Sequence, residues 1–95
     1  MLNCEYREQV LYLSGQLQVH HLDGIKEDLI FLTGEEDPIQ VDLSQVDDVD
    51  MAGLQIILAF LRSRKNATKL VGINPDLAKA ISITGLEPHL AGYIE

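Results

Sequence analysis

The chain is poor in several things, and each shortage closes off a class of function. It has one cysteine, Cys4. It therefore cannot close an internal disulfide, and no spacing of Cys and His suits a structural metal site. A lone thiol fits a reducing compartment. There is no tryptophan, and three tyrosines and two phenylalanines are the only aromatic residues. The core must then be built from Leu, Ile, Val and Ala. Basic residues are few: seven Lys and Arg face fifteen Asp and Glu, for a net charge of -8. Such a chain repels phosphate backbones and anionic lipid, so nucleic acid and membrane surfaces are poor partners. The longest apolar run, Ile56 to Leu61, is far shorter than the roughly 18 residues of a spanning helix, and no direct membrane insertion is expected. Met1 to Glu5 has neither a basic region nor an apolar stretch and does not read as a signal peptide. A cytoplasmic location is expected. No repeat, linker or low-complexity segment interrupts the 95 residues, which read as a single domain.

What is present is an alternation of strand and helix signals. Asn3 to Arg7 and Val10 to Leu13 read as strands, with Ser14-Gly15 as a turn. Leu22, Ile25, Leu29 and Leu32 recur at three and four residues and predict a helix over Val19 to Thr33, stopped by Gly34. Glu35-Glu36-Asp37 reads as a solvated acidic turn. Ile39 to Leu43 alternates as a strand does, and Ser44 to Asp50 reads as a polar connection. Asp50 is a good N-cap for a helix from Met51 to Arg64, with Arg62, Arg64 and Lys65 where cations suit its dipole. Thr68 to Ile73 is a further strand. Asn74-Pro75 caps and opens a last helix that Gly85 ends, and Glu87 to Glu95 is a tail with room for a short final strand or helix. The order β-β-α-β-α-β-α implies an α/β fold with a mostly parallel sheet.

The helix after Asp50 is the informative one. Leu54, Ile57, Leu58 and Leu61 form the stripe that a sheet-covering helix needs. Ala52, Ile56, Ala59 and Phe60 read as a second apolar stripe. Such a stripe is either covered by neighbouring helices or a protein-binding surface centred on Ile56 and Phe60.

Four landmarks occur in order: Val41-Asp42-Leu43-Ser44, Val49-Asp50-Met51-Ala52-Gly53-Leu54, Leu70-Val71-Gly72-Ile73 and Ile83-Thr84-Gly85-Leu86. Together, over residues 10 to 90, they resemble the STAS domain of anti-sigma factor antagonists. The resemblance implies a mixed four- to five-stranded sheet with helices mainly on one face. It implies a bacterial, non-enzymatic switch module. In that family a GHKL-type kinase binds the domain and phosphorylates a Ser or Thr just after the turn's Asp. Here that position is Met51, which has no oxygen to phosphorylate. Phosphorylation at the usual place is therefore not expected, although Asp50, Gly53 and Leu54 keep the turn.

The expected partner-binding residues are Asp47, Asp48, Asp50, Met51, Ala52, Gln55, Ile56, Ala59 and Phe60. The expected partner is a protein: a GHKL-type kinase, a phosphatase or another signalling protein, chemotaxis proteins included. The alternative is the ATPase of a lipid-transport complex, and a homodimer through the apolar stripe is a further expectation. No cofactor is expected. Asp47, Asp48 and Asp50 offer too few convergent ligands for Mg²⁺. His20 and His21 point apart on a helix, His89 has no evident partner, and no nucleophile-base pair can be drawn. Ser44 reads as a turn residue and Thr84 as part of a helix end; either is a secondary site for modification.

Overall fold

A computed structural model describes residues 2–34, 37–64 and 67–94. The acidic turn expected at Glu35 and Glu36, and Lys65 at the helix end, lie outside the described residues. Two strands open the chain, β1 (Leu2–Arg7) and β2 (Val10–Leu17). A two-residue turn joins them, with Glu8 and Gln9 both at positive φ, 51° and 67°. That is the twist a tight hairpin needs. A 3-10 turn (Val19–Gly24) leads into α1 (Lys26–Thr33), then β3 (Ile39–Val49), α2 (Met51–Ser63) and β4 (Thr68–Val71). The chain finishes with α3 (Pro75–Ile83), α4 (Glu87–Leu90) and a second 3-10 turn (Ala91–Tyr93).

The sheet order is β1-β2-β3-β4. β1 and β2 are antiparallel, and the two other pairs are parallel. Leu11, Val41 and Leu70 lie in one row across the three parallel strands. They are almost wholly buried, as strands beneath helices should be. Leu29 and Leu32 of α1, Leu54, Ile57 and Leu61 of α2, and Leu77 and Ile81 of α3 join them in one core. Between the buried positions, Glu5, Gln40 and Lys69 are exposed. The result is an α/β fold with a four-stranded mixed sheet, as the strand-helix alternation predicts.

Four boundaries differ from expectation, each for a physical reason. Ser14-Gly15 is not a turn. Gly15 takes φ 101° where the β2–β3 register slips, and the strand runs on to Leu17. Ser44 to Val49 is not a connection either. It continues β3, pairing Gln45 with Ser14 and Val49 with Leu17, and only Val46 of this stretch is buried. The segment looks loop-like because one side of it faces water. The expected helix from Val19 is broken at Ile25, which takes φ -120° and ψ 0°. Leu22 and Ile25 both still reach the core. Finally, β4 stops at Val71, because Gly72 turns at φ 77° against Asp42 and Ser44.

Candidate functional site

The best-defined surface feature is the start of α2. Asp50 ends β3 in extended backbone, and its carboxylate accepts a hydrogen bond from the Gly53 N–H at 2.6 Å. The Asp50 N–H donates to the Leu17 carbonyl at 3.1 Å. The first turn of α2 is thus tied to the end of β2 and capped at once. Gly53 makes the approach possible: a Cβ there would lie 2.2 Å from the Leu17 oxygen. No side chain fits, so the residue is fixed by packing rather than by backbone angle.

This anchoring leaves Met51, the first helical residue, 49% exposed. It stands at a helix N-terminus, where unpaired N–H groups and the dipole favour negative charge. Its own side chain carries none. Asp47 and Asp48 precede it on the exposed end of β3. Asp48 is held in place: it accepts from the Val49 N–H at 2.9 Å and from Gln18 Nε2 at 3.1 Å.

At about 100° per residue, the buried residues of α2 fill one arc: Gly53, Leu54, Ile57, Leu58, Phe60 and Leu61. Met51, Gln55, Ile56, Ala59 and Arg62 fill the exposed arc, with Ala52 half-buried. Of the expected site residues, Met51, Gln55, Ile56 and Ala59 therefore share the exposed arc of α2, with Ala52 at its margin, while Asp47, Asp48 and Asp50 precede them at the end of β3. Phe60 does not belong with them. It is 5% exposed, and a patch centred on Ile56 and Phe60 is corrected accordingly. Phe60 sits at the edge of the buried arc, about 40° from Ile56 by helical spacing. Its neighbours cover it, and Ile56 alone stays out, at 42%.

Beside this arc runs a groove of about 470 Å³ between the first 3-10 turn, α1 and α2. Ile30 of α1 lines it and is 61% exposed, whereas Phe31, 67% exposed, lies on another side of α1. Sequence reasoning missed both. The signal was there, because neither falls on the Leu22-Ile25-Leu29-Leu32 stripe.

The other residues singled out find structural work. Ser44 lies within β3, not at a turn, and its N–H donates to Asp42 at 2.8 Å. The Thr84 hydroxyl donates to the Ile81 carbonyl at 2.6 Å and accepts from the Leu86 N–H at 3.2 Å. His89, expected to be without a partner, meets Arg62 at 3.4 Å, so its Nδ1 is the acceptor. The His20 and His21 rings are 4.0 Å apart at a tilt of 44°. Cys4 is half-buried and donates to Asp28 at 3.2 Å. Burial, that bond and the charge of Asp28 push its thiol up to about 11. Among the described residues, no three His, Cys, Asp or Glu converge as a metal site. No helix among them is long and apolar enough to cross a membrane.

Comparison with known proteins agrees with this architecture. The family model described as "Mlab, STAS domain" matches residues 2–92. Among solved structures, an anti-sigma factor antagonist from Mycobacterium paratuberculosis superimposes with a TM-score of 0.73. It shares 19% identity over 93% of this chain and 80% of its own. The anti-sigma factor antagonist SpoIIAA, in its unphosphorylated form, gives a TM-score of 0.60 and 17% identity, over 87% of this chain and 83% of its own. At these identities the likeness is one of fold. None of the curated proteins matches. With four strands and their helices in place, and a family model spanning nearly the whole sequence, the chain belongs to the STAS domain family.

Proposed function

We propose that this STAS protein is a non-enzymatic, cytoplasmic regulatory module that binds a protein partner through the ridge at the start of α2. Met51 carries the reading. It is half exposed on a helix N-terminus that is otherwise complete, with Asp50 capping and Gly53 seated on Leu17. A phosphorylated Ser or Thr at that place would add nearly two negative charges at the contact surface. A thioether adds none and adapts well to an apolar partner surface. The surface is thus permanently open for binding, and control lies with the partner or with its supply. Ala52, Gln55, Ile56 and Ala59 extend the contact along α2. Asp47 and Asp48 meet a basic rim, chiefly hastening association.

Two partners fit. One is a GHKL-type kinase, a phosphatase or a related signalling protein. The second is a transport ATPase on which the domain sits as a lasting subunit. The lack of a hydroxyl at Met51 favours a constitutive interface and so gives the second reading its weight.

Co-purification with each partner type, using wild type and the folded variants Met51→Glu and Ile56→Asp, tests the surface. Wild type retains its partner and both variants lose it. Equal recovery from all three would remove this ridge from consideration. Met51→Ser then separates the partners. A kinase adds one phosphate to it, seen by intact mass and followed by release, whereas an ATPase stays bound and leaves the mass unchanged.

A further inference from the structure

The exposed arc of α2 does not end at Ala59. It runs on to Arg62, which with Gln55, Leu58, Ala59, Leu86 and His89 walls a hollow of about 280 Å³ between α2 and the start of α4. Leu58 is buried there and Leu86 half-buried. The polar part of the wall is made of donors. A guanidinium cannot accept, so the 3.4 Å contact between Arg62 and His89 Nδ1 makes that nitrogen the acceptor. The neutral ring then carries its proton on Nε2, a second donor, and the Gln55 amide is a third. Neither Asp nor Glu lines the hollow, in a chain with fifteen of them. The other arginines are already served. Arg7 pairs with Glu5 at 3.1 Å, and Arg64 donates to two carbonyls and to Thr68. Arg62 meets no oxygen acceptor among the described residues. We infer that the protein partner places an acidic side chain in this hollow, its carboxylate held by the Arg62 fork beside His89 and Gln55.

This rests on the α2 surface being the partner's site, and it adds the chemistry that the partner must bring there. A planar guanidinium matches a planar carboxylate with two parallel hydrogen bonds. Leu58 and Leu86 keep water from one side of the pair, which makes it stronger than a fully exposed one. The hollow is also continuous with the contact surface, because Gln55 and Ala59 belong to both. At 1.5 Å per residue, Met51 and Arg62 stand about 16 Å apart along α2. Asp47 and Asp48 lie beyond the Met51 end. The surface therefore has an acidic end and a basic end. A partner that meets both carries a base and an acid in matching order, so charge fixes the direction in which it docks.

Binding kinetics of the full chain with a purified GHKL-type kinase and with a purified transport ATPase are the test. Arg62 is exposed, so its variants keep the wild-type circular dichroism. Against the protein that binds, Arg62→Glu weakens affinity about 10- to 100-fold, the range for hydrogen bonds to a charged group. The loss falls on dissociation, since a docked pair holds the complex whereas a distant charge only steers it. Arg62→Lys keeps the charge without the fork and recovers part of the loss. Lys79→Glu makes the same charge change at an exposed position on α3 and binds as wild type. Replacing one acid of the partner by Arg restores binding to Arg62→Glu. An Arg62→Glu variant that dissociates like wild type overturns the inference. So does a loss confined to association and abolished by high salt. So does a dependence on Arg62 that vanishes once the partner is dephosphorylated, for then a phosphate owns the hollow. Met51→Glu keeps the two readings apart. If it loses the partner while Arg62→Glu retains it, the ridge stands and the acidic contact falls. If both variants bind like wild type, or wild type binds neither protein, both readings fall.

Discussion

The chain has two phenylalanines, one on each wall-forming helix, and they are used in opposite ways. Phe60 of α2 is 5% exposed and Phe31 of α1 is 67% exposed. The helices that carry them differ in the same sense. α2 has thirteen residues, a side-chain cap and a first turn seated on β2. α1 has eight, begins at Ile25 without a side-chain cap, and buries only Leu29 and Leu32. Its far end is held instead by Arg64, whose guanidinium donates to the Leu32 and Asp37 carbonyls and to Thr68. α2 is placed by its own sequence, whereas α1 is placed by what packs on it. A fixed helix holds an exposed residue such as Met51 at one defined position. A lightly anchored helix leaves a large aromatic in water.

The largest effect should separate the two phenylalanines. Phe60→Ala removes a fully packed ring and should cost about 3–5 kcal/mol. Phe31→Ala, at an exposed position, should stay within about 0.5 kcal/mol. Urea denaturation of both variants checks the pair. Equal losses would erase the contrast and place Phe31 in the core. Gly53→Ala comes next. Its new Cβ would meet backbone, not a side chain that could move aside, so the first turn of α2 must shift. The expected loss is about 1–3 kcal/mol, the usual range for overpacking. Amide protection should fall first at Asp50 and Leu54, whose N–H groups bond to Leu17 and Asp50.

Local signals were legible in the sequence, and contacts between distant segments were not. The caps at Asp50 and Asn74 each need only a residue three positions on. Both formed as expected, with the Asn74 side chain accepting from the Leu77 N–H at 2.8 Å. The order of strands and helices was equally readable, because each carries its own period. Strand ends were not readable. β3 runs past Leu43 because β2 continues beside it, and Ser44 to Val49 has too few buried side chains to announce a strand. Phe60 shows the same limit within the site. It stands four residues from Ile56, and so was grouped with it, but it also stands three from Ile57. The cover beyond α2, from segments some thirty residues earlier, decides which grouping holds. Those segments also make the groove, which is why no local pattern revealed it.

Asp50→Ala probes the anchoring of α2 at a smaller scale. Losing the cap should cost about 1 kcal/mol, whereas Asp50→Ser should retain most of it. If the alanine variant is as stable as wild type, the contact between Gly53 and Leu17 alone fixes the helix start, and the contrast with uncapped α1 weakens.

The smallest effect lies on the α1 side, where Cys4 of β1 donates to Asp28. Burial comes first among the causes that raise its thiol from 9.0 to about 11. The sign follows from linkage. Between those values the unfolded chain has lost the thiol proton and the folded chain keeps it. Unfolding then releases a proton, so stability is intact below about 9 and declines as the pH rises through the window to about 11. Cys4→Ser should flatten that decline, measured as the urea midpoint against pH. The thiolate is the reacting species, so the folded protein should also alkylate much more slowly at pH near 8 than the chain in urea. Equal rates would mean that Cys4 swings free of Asp28, and that α1 is held to β1 even more loosely than its missing cap implies.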